Sequence, residues 1–223
     1  MDKKRLLLWT AVAFVALAVL YFLPVSIPFK LVFPMALLFV AGCVLQSWPI
    51  IAAAFFSALG DGFGVAHQFL PQMGSFAVAH LCFIGYFLSL AWKRKKAGEK
   101  AVGGLWFAIV TLFAVGIFFL ASEKIIPFAP AGVVRTGMIV YAVLIVVMMW
   151  SALMLQDWMW GIGAVLFVFS DCVLAVVLFV RSIPDGQYWI MVPYFAAQLL
   201  IFVRAALERA GMSEKTVPSR KKA

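Results

Sequence analysis

Two aspartates lie inside stretches of sequence that are otherwise apolar enough to be buried in a lipid bilayer. Asp61 follows FFSALG and Asp171 follows FVFS, and the two residues are 110 positions apart. A carboxylate at bilayer depth costs a few kcal/mol or more, so such a residue usually faces a bundle interior or a wet cavity. Two neighbouring carboxyl groups can divide proton donation and charge stabilisation between them. These aspartates are therefore the first candidates for catalysis.

The composition of the chain predicts the membrane setting of these aspartates. Of the 223 residues, 66% are hydrophobic and 12% are charged, whereas a soluble domain is nearer half apolar and a quarter charged. The net charge of +9 lies mainly at the chain ends and in short segments, which indicates topology and anionic headgroups rather than nucleic acid. The sequence predicts an all-α integral membrane protein whose partner is the bilayer. No Cys or His spacing is typical of a metal site, and no cofactor is expected.

Eight apolar segments are each close to the length of about 20 residues that crosses a bilayer. Prolines and glycines typical of turns separate these segments. The predicted spans form one transmembrane domain over residues 1–210, and a disordered basic tail follows over residues 211–223. The spans are expected near residues 6–23, 30–46, 48–66, 74–92, 102–121, 134–155, 158–180 and 188–208.

The distribution of basic residues predicts the orientation of this eight-helix bundle. An even number of spans places both termini on one side, and 14 of the 18 Lys and Arg residues fall on that side. The positive-inside rule then places both termini in the cytoplasm. We expect a multi-pass protein of a bacterial inner membrane, with the aspartates in the outer, periplasmic half.

The span positions predict that both aspartates lie at the same depth. Each aspartate comes 13 residues after the tryptophan, Trp48 or Trp158, that begins its span, and a helix rises by about 1.5 Å per residue. The same outward-facing layer should contain further polar residues that enter their spans from the outer side. These residues are His80, Tyr194, Lys30 and Arg135.

Each of these polar residues also has a purely structural interpretation. His80 could bond a neighbouring helix, Tyr194 could pack with its hydroxyl satisfied, and the two basic side chains could extend to the interface. Gln198 lies one turn below Tyr194 and could bond either carboxylate. Three polar residues complete the candidate substrate-binding set together with Lys30, Arg135 and Tyr194; they are Gln198, Ser57 and Ser170.

The order of these residues is that of an internal repeat. Lys30 and Arg135 are 105 positions apart, the aspartates 110, and His80 and Tyr194 are 114 positions apart. Four spans against four would be a parallel duplication, because an even number of spans preserves orientation. Short apolar motifs also recur without duplication, so both explanations stay open.

Several of these segments resemble the YhhN-like lysoplasmalogenases. The two elements FFSALGD and FVFSD are the most specific, and Gly62-Phe63-Gly64 departs from the large apolar residue that usually follows the first Asp in the family. The matching pieces are FKLVFP around Lys30, FFSALGD ending at Asp61, AHLCFIGYF with His80, RTGMIVYAVLIVVMM, GAVLFVFSDCVLAV with Asp171, and PYFAAQLLI with Tyr194 and Gln198.

The resemblance implies an eight-helix membrane enzyme that acts on a lysophospholipid. Its reaction would cleave the alkenyl (vinyl) ether bond of lysoplasmalogens to a fatty aldehyde and glycerophosphocholine or glycerophosphoethanolamine. Protonation of the β-carbon gives an oxocarbenium ion, for which one protonated and one ionised carboxyl group are suited, as in glycosidases. Asp61, Asp171 and His80 are then the expected catalytic residues. The apolar context of Asp171 favours it as the acid, although the sequence alone leaves that assignment open.

Two other functions fit the same polar residues. A small proton-coupled transporter would also place acids within a helical bundle, and it predicts pH-dependent flux without a product. A non-catalytic lipid-binding protein predicts that bound lipid is recovered unchanged. The sequence carries no signal for the oligomeric state.

Overall fold

The described part of the chain folds into eight α-helices that pack into one bundle. The computed structural model describes residues 2–99 and 102–216, the last five of them by their backbone only. This part of the chain contains no β-strand, which confirms the all-α prediction. The helices are α1 (Lys3–Phe22), α2 (Val32–Leu45), α3 (Trp48–Val65), α4 (Phe69–Lys96), α5 (Gly104–Lys124), α6 (Val133–Leu153), α7 (Trp158–Phe179) and α8 (Gly186–Thr216), and a short 3-10 helix, Ile126–Phe128, follows α5.

Seven of these helices are long and apolar enough to cross a bilayer. The exception is α2, whose 14 residues extend about 21 Å, less than the hydrocarbon core of about 30 Å. It is shorter than the predicted span 30–46 because residues 28–31 form a turn, in which Phe29 has a φ of 55°. The bundle is that of a multi-pass membrane protein.

The last helix is longer than the predicted span 188–208. Helix α8 continues to Thr216, and the rest of the predicted basic tail, residues 217–223, lies outside the described residues, as does Lys100. The cytoplasmic placement of both termini, the bacterial inner membrane and the four-plus-four repeat stay predictions.

Helices α1 and α5 lie at the outside of the bundle. The buried residues of α1 are Thr10 and Phe14, and those of α5 are Val110 and Ala114. Large apolar side chains on their other faces are exposed, for example Leu112. A helix that is apolar on all sides but buries only a narrow stripe of residues faces lipid with its remaining surface. The core of the bundle therefore lies among α2, α3, α4, α6, α7 and α8.

Ionic side chains hold the ends of α4, α7 and α8 together at one end of the bundle, which we call the basic end. Glu208 accepts hydrogen bonds from Arg94 at 3.0 Å and Arg204 at 2.7 Å. Arg204 also donates to Asp157 at 2.7 Å. Asp157 is the N-cap of α7 and accepts from the N–H of Met159 at 3.0 Å. These bonds anchor the basic end of the helices that carry the polar residues further along the bundle.

A glycine allows α7 and α8 to approach closely. A Cβ atom at Gly163 would lie 2.9 Å from Ile201 Cγ1 and 3.4 Å from the carbonyl oxygen of Ala197. We expect Gly163→Val to lower the free energy of unfolding by about 1–3 kcal/mol, because the added methyl groups overpack this contact. The unfolding midpoint of the detergent-purified protein measures the effect. The matched control is Gly85→Val on α4, where nothing lies within 4 Å of the added Cβ; equal midpoints for the two variants would contradict this account.

Candidate active site

Asp61 is buried on the inner face of α3. Its residue exposure is 3%, and the hydroxyl of Tyr194 on α8 donates to Asp61 Oδ2 at 3.0 Å. The preceding Gly60 has no side chain, and a Cβ atom there would lie 2.8 Å from the ring of Phe76. The glycine therefore lets the Phe76 ring of α4 lie directly against α3 beside the carboxylate. Phe76 also packs edge-to-face on Tyr194, with ring centroids 5.9 Å apart.

Asp171 on α7 is held by two other residues. The hydroxyl of Tyr141 on α6 donates a hydrogen bond to Asp171 Oδ2, and His80 Nε2 on α4 lies 3.7 Å from the same oxygen. His80 is fully buried, while the side chain of Asp171 is 15% exposed. Asp171 thus has more access to the cavity than Asp61, and an imidazole lies beside its hydroxyl donor.

The hydrogen bonds define the tautomer of His80. His80 Nε2 lies 3.1 Å from Tyr141 Oη. Because the tyrosine proton is donated to Asp171, the tyrosine oxygen accepts from His80 Nε2–H. His80 Nδ1 is then an acceptor, and it has no hydrogen-bond partner within the described part of the chain. His80 thus donates to Tyr141, and Tyr141 donates to the carboxylate of Asp171.

Each half of the chain supplies a partner to the carboxylate of the other half. Asp61, from the first four helices, is bonded by Tyr194 from the last four. His80, from the first four, faces Asp171 from the last four. The ring of Phe167 on α7 lies between these groups, 4.8 Å from His80 and 5.6 Å from Tyr194 by ring centroids.

The two aspartates line one cavity of about 420 Å³, which we call the carboxylate cavity. It lies between α1, α3, α4, α7 and α8, away from the basic end. The other polar residues in its walls are Tyr21, Gln72, Ser170, Gln187 and Tyr194. Two carboxyl groups on one wet cavity can hold and release a proton next to a bound molecule. Across residues 2–99 and 102–211, no three His, Cys, Asp or Glu side chains are placed as a metal-binding group.

Three predicted substrate-binding residues form bonds between helices. Gln198 Nε2 donates to Ser57 Oγ at 3.0 Å, with both side chains buried, so this amide is directed to α3 and not to a carboxylate. Ser170 Oγ donates to the carbonyl of Ile190 at 2.8 Å. These bonds fasten α8 to α3 and α7 on either side of Tyr194. Ser170 also lines the carboxylate cavity.

Lys30 lies in the turn before α2 and Arg135 in the first turn of α6, and each bonds carbonyl groups of the preceding loop. Lys30 Nζ donates to the carbonyl of Leu23 at 2.7 Å, and Arg135 donates to that of Ala129 at 2.7 Å. Loop carbonyls outside regular structure need donors, which these cations supply. Neither residue lines the carboxylate cavity, so the structure does not bring them to the aspartates. Their role in substrate binding stays a prediction.

Tyr141 and Gln72 are site residues that the sequence analysis missed. Tyr141 lies within the apolar run MIVYAVLIVV of α6. A tyrosine in such a run is common in membrane helices and gives no signal of a functional site. The position of Tyr141 along its helix would have identified it from the sequence. Tyr141 comes eight residues after Val133, the first residue of α6, which places its hydroxyl near the layer predicted for His80 and Tyr194.

Comparison with known proteins identifies relatives over most of the chain. Lysoplasmalogenase TMEM86B from Mus musculus is 30% identical over 172 residues, which are 75% of this chain and 67% of that protein. The Rattus norvegicus protein of the same name is 31% identical over 160 residues, 71% of this chain and 62% of that protein. Lysoplasmalogenase TMEM86A from Homo sapiens is 29% identical over 178 residues, 72% of this chain and 66% of that protein.

These alignments span about two thirds of the relatives' own length or less. No solved structure matches the chain. The YhhN family model matches residues 21–205, a range that contains both aspartates and every polar residue described around them. This match confirms the resemblance seen in the motifs. The chain therefore belongs to the YhhN family.

Proposed function

We propose that this protein is a membrane hydrolase that cleaves the alkenyl ether bond of lysoplasmalogens. The products are a fatty aldehyde and glycerophosphocholine or glycerophosphoethanolamine. The observation that carries the proposal is that two aspartates from different helices, each bonded by a tyrosine, line one cavity within a membrane bundle. Family membership and the names of the relatives supply the reaction class.

The surroundings of the two carboxyl groups favour different roles for them. Asp61 is the more buried and has one donor, Tyr194, and burial without compensating bonds opposes a charge. Asp171 accepts from Tyr141, whose oxygen is in turn bonded by His80, and such a chain of hydrogen bonds favours a charged carboxylate. We assign Asp61 as the proton donor and Asp171 as the ionised partner, the reverse of the assignment that sequence context favours.

The assignment of one proton donor and one ionised carboxylate leads to the following reaction. Asp61 transfers its proton to the β-carbon of the vinyl ether, which leaves an oxocarbenium ion that Asp171 stabilises. Water adds to the cationic carbon and gives up a proton to a carboxylate. As the resulting hemiacetal collapses, the bond to the glycerol oxygen breaks and that oxygen takes the proton from the carboxyl group, while the hemiacetal hydroxyl gives its proton to Asp61 and restores its acid form. The net change is addition of one water, with one aldehyde and one alcohol released.

The proposal is tested by the position of a solvent proton in the product. Purified protein is incubated with a lysoplasmalogen in D₂O, and the aldehyde is reduced at once and analysed by mass spectrometry. We expect one deuterium on the carbon next to the former aldehyde carbon, because that carbon is protonated in the first step. The matched control substrate is the saturated alkyl ether lysophospholipid, which lacks the double bond and should yield no product.

Other results would point to the competing functions. Release of aldehyde without carbon-bound deuterium would exclude protonation of the β-carbon. Recovery of the lipid unchanged would favour a lipid-binding protein. Uptake of a solute into liposomes that depends on pH, with no aldehyde formed, would favour the transporter.

A further inference from the structure

The carboxylate cavity extends from the aspartates to the end of the bundle opposite the basic end. Its walls there come from the last turns of α1, α3 and α7 and from the first turns of α4 and α8. Gly64 lies three residues beyond Asp61 on α3, a rise of about 4.5 Å, and Gln187 lies seven residues before Tyr194 on α8, about 10 Å. The cavity therefore has an inner level at the carboxyl groups and an outer level about 5–10 Å from them.

Three uncharged side chains that form hydrogen bonds line the outer level. They are Tyr21 of α1, Gln72 of α4 and Gln187 of α8. Among the described residues, no Lys or Arg lines the cavity at either level. Lys30 lies behind one wall, with its Nζ atom 5.9 Å from the centroid of the Tyr21 ring. An anion at the outer level would therefore bond neutral donors, with one positive charge nearby to lower the cost of its burial.

A glycine makes room for one of these donors. A Cβ atom at Gly64 would lie 2.7 Å from Nε2 of Gln72, so the amide occupies the space that a larger residue would take. Both residues line the cavity, and Gln72 is half-buried. The end of the Gln72 side chain is thus held against α3, about one turn outward of Asp61.

We propose that the outer level binds the phosphodiester of the lipid headgroup and so places the ether bond beside the two aspartates. The identity of the lipid rests on the hydrolase activity proposed above. In a lysoplasmalogen, seven bonds separate the protonated β-carbon from the phosphorus atom, about 8 Å in an extended chain, which matches the separation of the two levels. The cavity volume of about 420 Å³ lies within the range of about 300–1,000 Å³ that small-molecule sites occupy.

Neutral donors at this level select the charge of the ligand. A phosphodiester carries one negative charge, whereas a phosphate with a free end carries up to about two at pH 7. The added charge is repelled by the carboxylate of Asp171, and no cation lines the cavity to offset it. The amine of the headgroup lies four bonds beyond the phosphorus atom and therefore outside the outer level. Choline and ethanolamine headgroups should accordingly bind alike.

Binding of the headgroup is measured without turnover, by the rise in the unfolding midpoint of detergent-purified protein. Two unreactive lipids with the same chain are titrated: an alkyl ether lysophosphatidylcholine, and the alkylglycerol that lacks its phosphocholine group. Gln72→Leu should weaken binding of the lysophosphatidylcholine about tenfold, because a hydrogen bond to a charged group is lost. Binding of the alkylglycerol should stay unchanged.

A pair of glycine variants tests the same site without removing a donor. Gly64→Ala displaces the amide of Gln72, and the fold is retained because the displaced atoms are the end of a flexible side chain. We expect binding of the lysophosphatidylcholine to weaken about three- to tenfold. The matched control is Gly62→Ala on the same helix, where the added Cβ would lie 3.9 Å from Val32 Cγ2, an ordinary contact. Its binding of both lipids should equal that of the unmodified protein.

The two sources of a phosphate group are separated by competition. Inorganic phosphate should not displace the lysophosphatidylcholine, and displacement would indicate a general anion site and overturn the proposal. Equal weakening of both lipids in Gln72→Leu, or equal effects of the two glycine variants, would overturn it as well. A loss confined to the lysophosphatidylcholine, in a protein that forms no aldehyde from a lysoplasmalogen, would support the headgroup site and reject the hydrolase. Normal aldehyde formation with unchanged lipid binding in Gln72→Leu and Gly64→Ala would do the opposite.

Discussion

Asp61→Asn and Asp171→Asn should each lower kcat for lysoplasmalogen hydrolysis by about a hundred- to ten-thousandfold. Asparagine keeps the size and hydrogen bonding of the side chain but can neither transfer a proton nor carry the negative charge that stabilises the cation. The double variant should be little worse than the weaker single variant, because residues that act together in one step are not additive. Initial rates of aldehyde release measure the effect.

The matched control for these variants is Asp185→Asn. Asp185 is an exposed residue in the turn before α8, with a φ of 55° that asparagine also tolerates, and its turnover should equal that of the unmodified protein. Unfolding midpoints of all variants establish that they are folded. A folded Asp61→Asn or Asp171→Asn protein with turnover within about threefold of the parent would rule out the two-carboxyl mechanism, since the loss of either role costs far more.

Tyr141→Phe should lower kcat by about 10- to 100-fold and leave KM unchanged. The phenylalanine keeps the aromatic ring and removes the hydroxyl that bonds Asp171 and connects it to His80. A hydrogen bond to a charged group is worth about 1.5–3 kcal/mol. The cation forms only after protonation, so the loss should fall on kcat. Steady-state kinetics with one lysoplasmalogen separate the two constants.

The tyrosine of the other aspartate supplies the comparison that tests the assignment of roles. Tyr194→Phe removes the donor to Asp61, and we expect a smaller loss of about two- to tenfold, because a bond to a neutral acid is worth only about 0.5–1.5 kcal/mol. Tyr86→Phe, a buried tyrosine toward the basic end, should have no effect on kcat. A larger loss for Tyr194→Phe than for Tyr141→Phe would exchange the roles of Asp61 and Asp171.

The helices were predictable because the membrane imposes a simple rule on sequence. A spanning segment must be long, apolar and free of breaks, and each helix of the described residues overlaps one of the apolar segments. The exception in length is α2, where the turn at residues 28–31 delays the start of the helix. Hydropathy does not detect the end of that turn, since Leu31 is as apolar as the helix that follows.

The two basic residues illustrate what a prediction from depth leaves out. Lys30 and Arg135 were expected in the layer of the aspartates because both open their spans from the outer side. In the structure their donors bond loop carbonyls beside them, and they do not line the carboxylate cavity. Depth alone did not predict this local bonding, because it depends on the path of the loops before each helix.

The sequence by itself determined that this is a helical membrane protein of the YhhN family with two costly carboxyl groups at matched positions along their helices. Only the tertiary structure decided which residues surround each aspartate: Tyr194 bonds Asp61. Tyr141 bonds Asp171, and His80 lies beside it. It also decided that both aspartates line one cavity. The physical reason is geometric. Position along a helix follows from counting residues at about 1.5 Å each, whereas the direction a side chain faces depends on how every neighbouring helix is rotated and packed.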